Sequence, residues 1–135
     1  MLSTRSRVAV SLFAVGATGA LLIPMAVPAQ AAGADLEGPM VGSAAFPGAH
    51  GKADYEAEHG TRHFDIELHV ARLHNKLVTV RVHGTLVGRM RTDSHGYAHL
   101  DKRSGVPTMA AGNMVRVRTT SGRLVSHGTL HWDVG

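Results

Sequence analysis

The sequence contains no cysteine in its 135 residues. This absence excludes disulfide bonds, a cysteine nucleophile and every thiolate metal site. Aromatic residues are also scarce, at 4% of the chain. A core must therefore be built mostly from Val, Leu, Ile and Met. The scarcity also argues against the row of aromatic side chains on which single-stranded nucleic acids stack.

The first 31 residues have the layout of a secretory signal peptide. Two arginines precede an apolar stretch, residues 8–27, and Pro28 is followed by a small-residue A-x-A pattern that ends at Ala31. The alternative is a retained membrane anchor, because the apolar stretch is about long enough to span a bilayer. Two glycines and Pro24 interrupt it, which favours cleavage after Ala31. We therefore predict a secreted, extracellular protein with no membrane span after cleavage.

The mature chain would hold twelve Lys and Arg against ten Asp and Glu, a net charge of +2. Such a small charge gives no strong case for a nucleic-acid partner, and we expect none. Residues 32–42, AGADLEGPMVG, are rich in Gly and Ala and have no periodicity. We predict a flexible linker there and one ordered domain over residues 43–135.

The ordered region alternates apolar and polar residues with period two, which is typical of half-buried β-strands. In Arg62–Val70, RHFDIELHV, polar and apolar residues alternate strictly from His63 onward. Similar patterns predict further strands at Leu77–His83, Leu86–Thr92, Tyr97–Asp101, Met114–Thr119, Arg123–Val125 and Thr129–Trp132. The residues predicted to face the core are Phe64, Ile66, Leu68, Val80, Val82, Val115 and Val117.

Seven or eight short strands, separated by turns, predict an all-β fold: a single antiparallel β-sandwich or a partly open barrel. The alternation of apolar and polar residues changes phase near Gly88, which predicts a β-bulge there. A similar change of phase occurs at Gly128. The unpatterned segment Lys102–Asn113 contains Pro107, and we predict a crossing loop.

Three stretches of the domain have a familiar outline: GKADYE, VRVHGTLVGRMRTDSHGYAHL and VPTMAAGNMVRVRTTSGRLVSHGTL. In these the sequence resembles small exported bacterial single-domain β proteins, with their glycine-containing hairpin, VP-containing loop and G-x-L-x-x-G ending. The resemblance covers nearly all of the mature chain. It implies the fold and no activity.

All ten histidines follow residue 31. Histidine is the commonest metal ligand. If Arg62–Val70 pairs with Leu77–His83, two registers keep the polar residues on one face. One places His83 opposite His63 and the other places it opposite Asp65. We therefore predict a Zn²⁺ or Cu²⁺ site of His63, Asp65 and His83. The alternative is a solvated sheet face with cross-strand ion pairs.

Catalytic motifs are missing. No serine lies in G-x-S-x-G, and the adjacent residues Asp93, Ser94 and His95 cannot converge as a triad does.

Outward arginines of the second half predict either ordinary solubilising charge or a basic stripe for an anionic polymer of the cell envelope. The sequence thus predicts a non-enzymatic exported binding or structural module whose ligand and cofactors it does not identify; the candidate partners are an anionic envelope polymer and another protein. The alternative is a histidine-based metal-binding protein.

Overall fold

Period-two alternation produces the strands that the sequence predicts. The computed structural model describes residues 33–134, and these contain nine β-strands and no helix. The strands are β1 (Ala34–Gly42), β2 (His50–Glu58), β3 (Thr61–His69), β4 (Leu77–Val82), β5 (Thr85–Arg91), β6 (Tyr97–Lys102), β7 (Met114–Thr119), β8 (Leu124–Thr129) and β9 (His131–Trp132). The predicted signal peptide lies outside the described residues.

The strands form one antiparallel sheet in the order β5-β4-β7-β8-β1-β2-β3-β6, with β9 beside β1. By their contacts the described residues divide into two units. One comprises residues 33–34 and 57–60, and the other comprises residues 35–56 and 61–134. The second unit holds most of the sheet and all of the site described below.

Within that larger unit, β5 and β6 stand at the two ends of the strand order and nearly meet. A Cβ atom added at Gly88 of β5 would lie 3.0 Å from the Leu100 side chain of β6. The sheet is therefore nearly closed into a barrel. This confirms the predicted all-β class and is consistent with the partly open barrel.

Inward side chains fill the barrel, and all seven predicted core residues are among them. Each is at most 3% exposed. Tyr55 of β2 is the largest fully buried side chain. Burial contributes about 25 cal/mol per Å² of apolar surface, and it stabilises a domain that has no disulfide.

The predicted bulge near Gly88 is confirmed. Val80 of β4 pairs with Gly88, but the next residue, Arg81, pairs with Leu86, so Val87 is the extra residue on β5. A bulge shifts the alternation by one residue. As a result, both Val87 and a residue three positions later, Met90, are buried.

The second irregularity lies beside Val125 and not at Gly128. Val117 of β7 pairs with Ser126, whereas Arg118 pairs with Leu124. Gly128 pairs in regular register. Its lack of a side chain allows the backbone at Pro39 of β1 to approach it closely. A Cβ atom there would lie 2.3 Å from the Pro39 carbonyl oxygen.

The predicted linker over residues 32–42 is wrong for residues 34–42, which form β1. Leu36 and Met40 are 1% and 2% exposed. β1 pairs with β8 at Val41 and with β9 at Leu36. Strand β2 was also missing from the prediction. Backbone pairing with neighbouring strands orders both segments despite their weak apolar pattern.

The predicted pairing of Arg62–Val70 with Leu77–His83 is wrong, because β3 pairs with β6 and β4 pairs with β5 and β7. Residues 70–76 do not turn back as a hairpin. Their backbone bonds to the β5–β6 connection, from Val70 N–H to the Gly96 carbonyl at 2.8 Å and from Asn75 N–H to the Asp93 carbonyl at 3.1 Å. Leu73 is buried, so this segment carries the chain past β6 and β5 to β4.

Candidate functional site

The outward side chains of β3 and β6 form a surface of imidazole and carboxylate groups. From His63 to His69 the polar residues of β3 alternate with buried apolar ones, so the alternation places these polar residues on one side. We call this surface the histidine–carboxylate face, and its members are His63, Asp65, Glu67, His69, His99 and Asp101.

The β3–β6 register sets which of these groups meet. Asp65 lies directly opposite Asp101, and Glu67 lies directly opposite His99. Directly opposed like charges destabilise a sheet, whereas opposite charges stabilise it. The two aspartates therefore need cationic neighbours on the same surface.

A histidine lies at a diagonal position from each aspartate. His63 Nε2 and Asp101 Oδ1 are 2.7 Å apart, and this hydrogen bond lowers the pKa of the Asp101 carboxyl. His99 Nε2 lies 3.2 Å from both carboxylate oxygens of Asp65, and this hydrogen bond raises the pKa of His99. Each aspartate of the opposed pair thus accepts a bond from one imidazole.

The same residues include two sets of three potential metal ligands. The first set is His63, Asp65 and Asp101, and the second is Asp65, Glu67 and His99. Within each set the ligand atoms lie within 4.8 Å of one another. Asp65 belongs to both. The first set is the less exposed, since the side chains of His63 and Asp101 are 21% and 41% exposed, whereas that of His99 is 54% exposed and Glu67 is also exposed.

A groove of about 490 Å³ lies at the His69 end of the face. The His69 ring stacks on Tyr97, with centroids 4.1 Å apart and planes 18° apart, and the edge of His50 meets His69 at 5.4 Å. Arg91 and Asp93 also line the groove. The Tyr97 and His50 rings, and a hydrogen bond from His69 Nε2 to the His95 carbonyl oxygen at 3.1 Å, hold the His69 ring away from the ligand groups above.

Asp93, Ser94 and His95 form a turn, and their geometry supports no triad. Asp93 Oδ1 accepts hydrogen bonds from the backbone N–H groups of Tyr97 at 3.0 Å and His95 at 2.8 Å, which lower the pKa of Asp93. The carboxylate therefore caps the turn instead of orienting the imidazole.

Of the three residues predicted to bind a metal, the structure brings two together. His63 and Asp65 lie on one face of β3. His83 lies in the β4–β5 turn, with a positive φ of 51°, and belongs to neither set of potential ligands. The difference follows from the strand order, because β4 is not a neighbour of β3.

Besides Glu67 of β3, sequence reasoning missed two potential metal ligands of β6, Asp101 and His99. Their strand was predicted at Tyr97–Asp101, and its alternation places both on one face. Only the identity of the partner strand was lacking. A test of β3 against every predicted strand, and not only the next one, would have included this pairing.

Known proteins give no further guide to this site. No known protein family matches the sequence, and no curated protein is similar to it. Among residues 33–134 there is no helix long and apolar enough to cross a membrane.

Proposed function

We propose that this protein is an exported, non-enzymatic binding protein of the cell exterior whose histidine–carboxylate face binds Zn²⁺ or Cu²⁺. The observation that carries the proposal is the membership of Asp65 in both sets of potential ligands. A dication at Asp65 would reach an imidazole and a second carboxylate on either side. It would also compensate the two opposed aspartates more strongly than the histidines do.

The chemistry of the ligand atoms fits such an ion. Zn²⁺ binds imidazole nitrogen and carboxylate oxygen at about 2.0–2.2 Å, commonly with four ligands in a tetrahedron. Tetrahedral ligand atoms then lie roughly 3.3 Å apart. Ligand atoms at the 4.8 Å limit must therefore close by about 1.5 Å, whereas His63 Nε2 and Asp101 Oδ1, which are 2.7 Å apart, must separate by about 0.6 Å. Partly exposed side chains can make both adjustments by rotation.

We assign the ion to His63, Asp65 and Asp101, because this set is the less exposed of the two. Less contact with water strengthens the attraction between a cation and its carboxylates. A protein that offers three ligands leaves one tetrahedral position to water. The opposite strand positions of Asp65 and Asp101 hold two of the three ligands in register.

Protons compete with the metal for this site. His63 must be neutral at Nε2 to bind a cation, and the same nitrogen now bonds to Asp101. Metal affinity should therefore fall as the pH drops through the histidine range. This pH dependence separates a histidine site from binding to carboxylates alone.

The experiment is a zinc titration of the untagged secreted chain by calorimetry, with thermal unfolding measured in parallel at about pH 7.5 and pH 5. We expect Zn²⁺ to raise the Tm at the higher pH and to have little effect at the lower. His63→Ala and Asp65→Asn should each weaken binding about tenfold or more, since loss of even an outer-shell partner costs about 10–100-fold.

His83→Ala is the matched control, because it removes an exposed imidazole that lies outside both ligand sets. It should leave zinc affinity unchanged. Equal losses from His63→Ala and His83→Ala would indicate diffuse binding by exposed histidines. No change of Tm with Zn²⁺ or Cu²⁺ would refute the metal proposal.

A further inference from the structure

Acidic residues are absent from two long segments of this chain. The sequence has ten Asp and Glu, and none of them lies in residues 68–92 or 102–132. Strands β4, β5, β7 and β8 fall within those two segments and are neighbours in the sheet. Half of the barrel strands therefore present no carboxylate.

Three of these strands, β4, β5 and β7, carry arginine, and none of the four carries lysine. We call their outward cations the arginine face, and its members are Arg81, Arg89, Arg91, Arg116 and Arg118. Among the described residues, none of the five forms an ion pair with a carboxylate. The bonds of Arg81, Arg91 and Arg118 go to backbone carbonyl oxygens.

The strand register opposes two of these charges directly. Arg81 of β4 lies opposite Arg116 of β7, and His127 of β8 follows on the other side of Arg116. Directly opposed like charges destabilise a sheet. Arg116 is only partly exposed, and its guanidinium makes no hydrogen bond to another described residue. The folded chain thus keeps a half-buried, uncompensated cation next to a second cation.

A second row extends the pattern along the strands. Thr79 of β4 lies between Arg89 of β5 and Arg118 of β7. Neighbouring strands are about 4.8 Å apart, and successive outward residues of one strand are about 6.8 Å apart. The arginines therefore form a grid of charges that several strands share, and not a single pocket. Such a grid fits a chain of many anionic groups better than one small anion.

We propose that the arginine face binds a linear polyol-phosphate polymer, in which the repeating charge is a phosphodiester. One guanidinium group can donate two parallel hydrogen bonds to two oxygens of the same phosphate. This geometry favours arginine over lysine at sites that recognise phosphate. The four strands contain no aromatic residue on which a base could stack, and this favours a polyol phosphate over single-stranded nucleic acid. The proposal is independent of the metal site, which lies on other strands.

The test is binding of poly(glycerol phosphate) to the untagged secreted chain, measured by calorimetry between about 50 and 200 mM NaCl. Arg116→Ala should weaken binding about tenfold, as expected for loss of a charged hydrogen bond. The slope of log affinity against log salt should fall by about 0.7, since one phosphate contact is lost. Without polymer, this variant should unfold at the same temperature as the wild type or higher, because a repulsion is removed.

Arg72→Ala is the matched control. It removes the same charge from an exposed arginine in the segment between β3 and β4. It should leave the affinity within about twofold of the wild type, since exposed charges away from the site are largely screened. Equal weakening by both variants, or absence of binding at low salt, would overturn the proposal. A single-stranded DNA oligonucleotide of equal charge that binds as tightly would overturn the choice of polymer.

Discussion

Asp65 of β3 lies directly opposite Asp101 of β6. Each carboxylate accepts a hydrogen bond from one diagonal imidazole, Asp65 from His99 and Asp101 from His63. Histidine carries its charge only below its pKa, so the compensation of this pair depends on pH. The opposed pair Arg81 and Arg116, in contrast, keeps its charge at every physiological pH.

The first prediction concerns the pH dependence of stability. The pKa of His99 is raised by its bond to Asp65, with smaller effects from Glu67 and Asp101. Its stabilising contribution is therefore complete below the ordinary histidine pKa of about 6.5, and is lost as the pH rises through the raised value. The lowered pKa of Asp101 acts oppositely. Its contribution is present above about pH 3.9 and is lost as the pH falls through the lowered value.

His99→Gln should therefore lower the Tm more at about pH 5.5 than at about pH 8.5. Thermal unfolding in the presence of a chelator measures this difference without metal. His131→Gln is the control, because the one hydrogen bond of that imidazole to a described residue goes to the carbonyl of its neighbour Trp132. The same pH dependence in both variants would show that the His99–Asp65 bond does not stabilise the fold.

A strand can be predicted from this sequence when its buried positions are occupied by large apolar residues that alternate with polar ones. β3 has a complete alternation, and its inward residues Phe64, Ile66 and Leu68 are buried as predicted. β2 has an equally regular burial pattern, but two of its buried positions are Ala53 and Ala57. Small residues give a weak apolar signal, so this strand could not be recognised without the neighbours that cover it.

The candidate site was half predicted for a different reason. The period-two alternation alone predicts that His63 and Asp65 share one face of their strand. The partner of their strand does not, because pairing depends on where the chain goes after Val70. Consecutive strands are neighbours in only about two thirds of cases. The 70–76 segment instead bonds to the β5–β6 connection, and this long-range contact has no local signature in the sequence.

The second prediction tests the structural role of β1. Leu36 is 1% exposed, whereas Val41 on the same strand is 51% exposed. Leu36→Ala should cost about 2–5 kcal/mol of unfolding free energy, because it leaves a cavity in the core. Val41→Ala should cost much less, within the range of surface substitutions, about 0.5 kcal/mol. Urea unfolding measures both, and equal costs would mean that residues 34–42 do not pack as a strand.

The last prediction concerns Tyr55, whose side chain is fully buried in the barrel. Its hydroxyl is the only buried side-chain polar atom of the described residues that has no hydrogen-bond partner. The other buried hydroxyls are bonded: Ser126 donates to the Val41 carbonyl oxygen and Thr92 to that of Lys76. An unpartnered buried polar group costs about 1–3 kcal/mol.

Tyr55→Phe removes that group and keeps the ring. We therefore expect the unfolding free energy to stay the same or to rise by up to about 3 kcal/mol. Tyr97→Phe, at a side chain that is 57% exposed, is the matched control and should change it by less than about 0.5 kcal/mol. A loss of more than about 1 kcal/mol in Tyr55→Phe alone would show that the hydroxyl is bonded in solution, since that is the net worth of an intramolecular hydrogen bond. The barrel interior would then admit a polar partner at Tyr55, and a purely apolar packing of the core would be excluded.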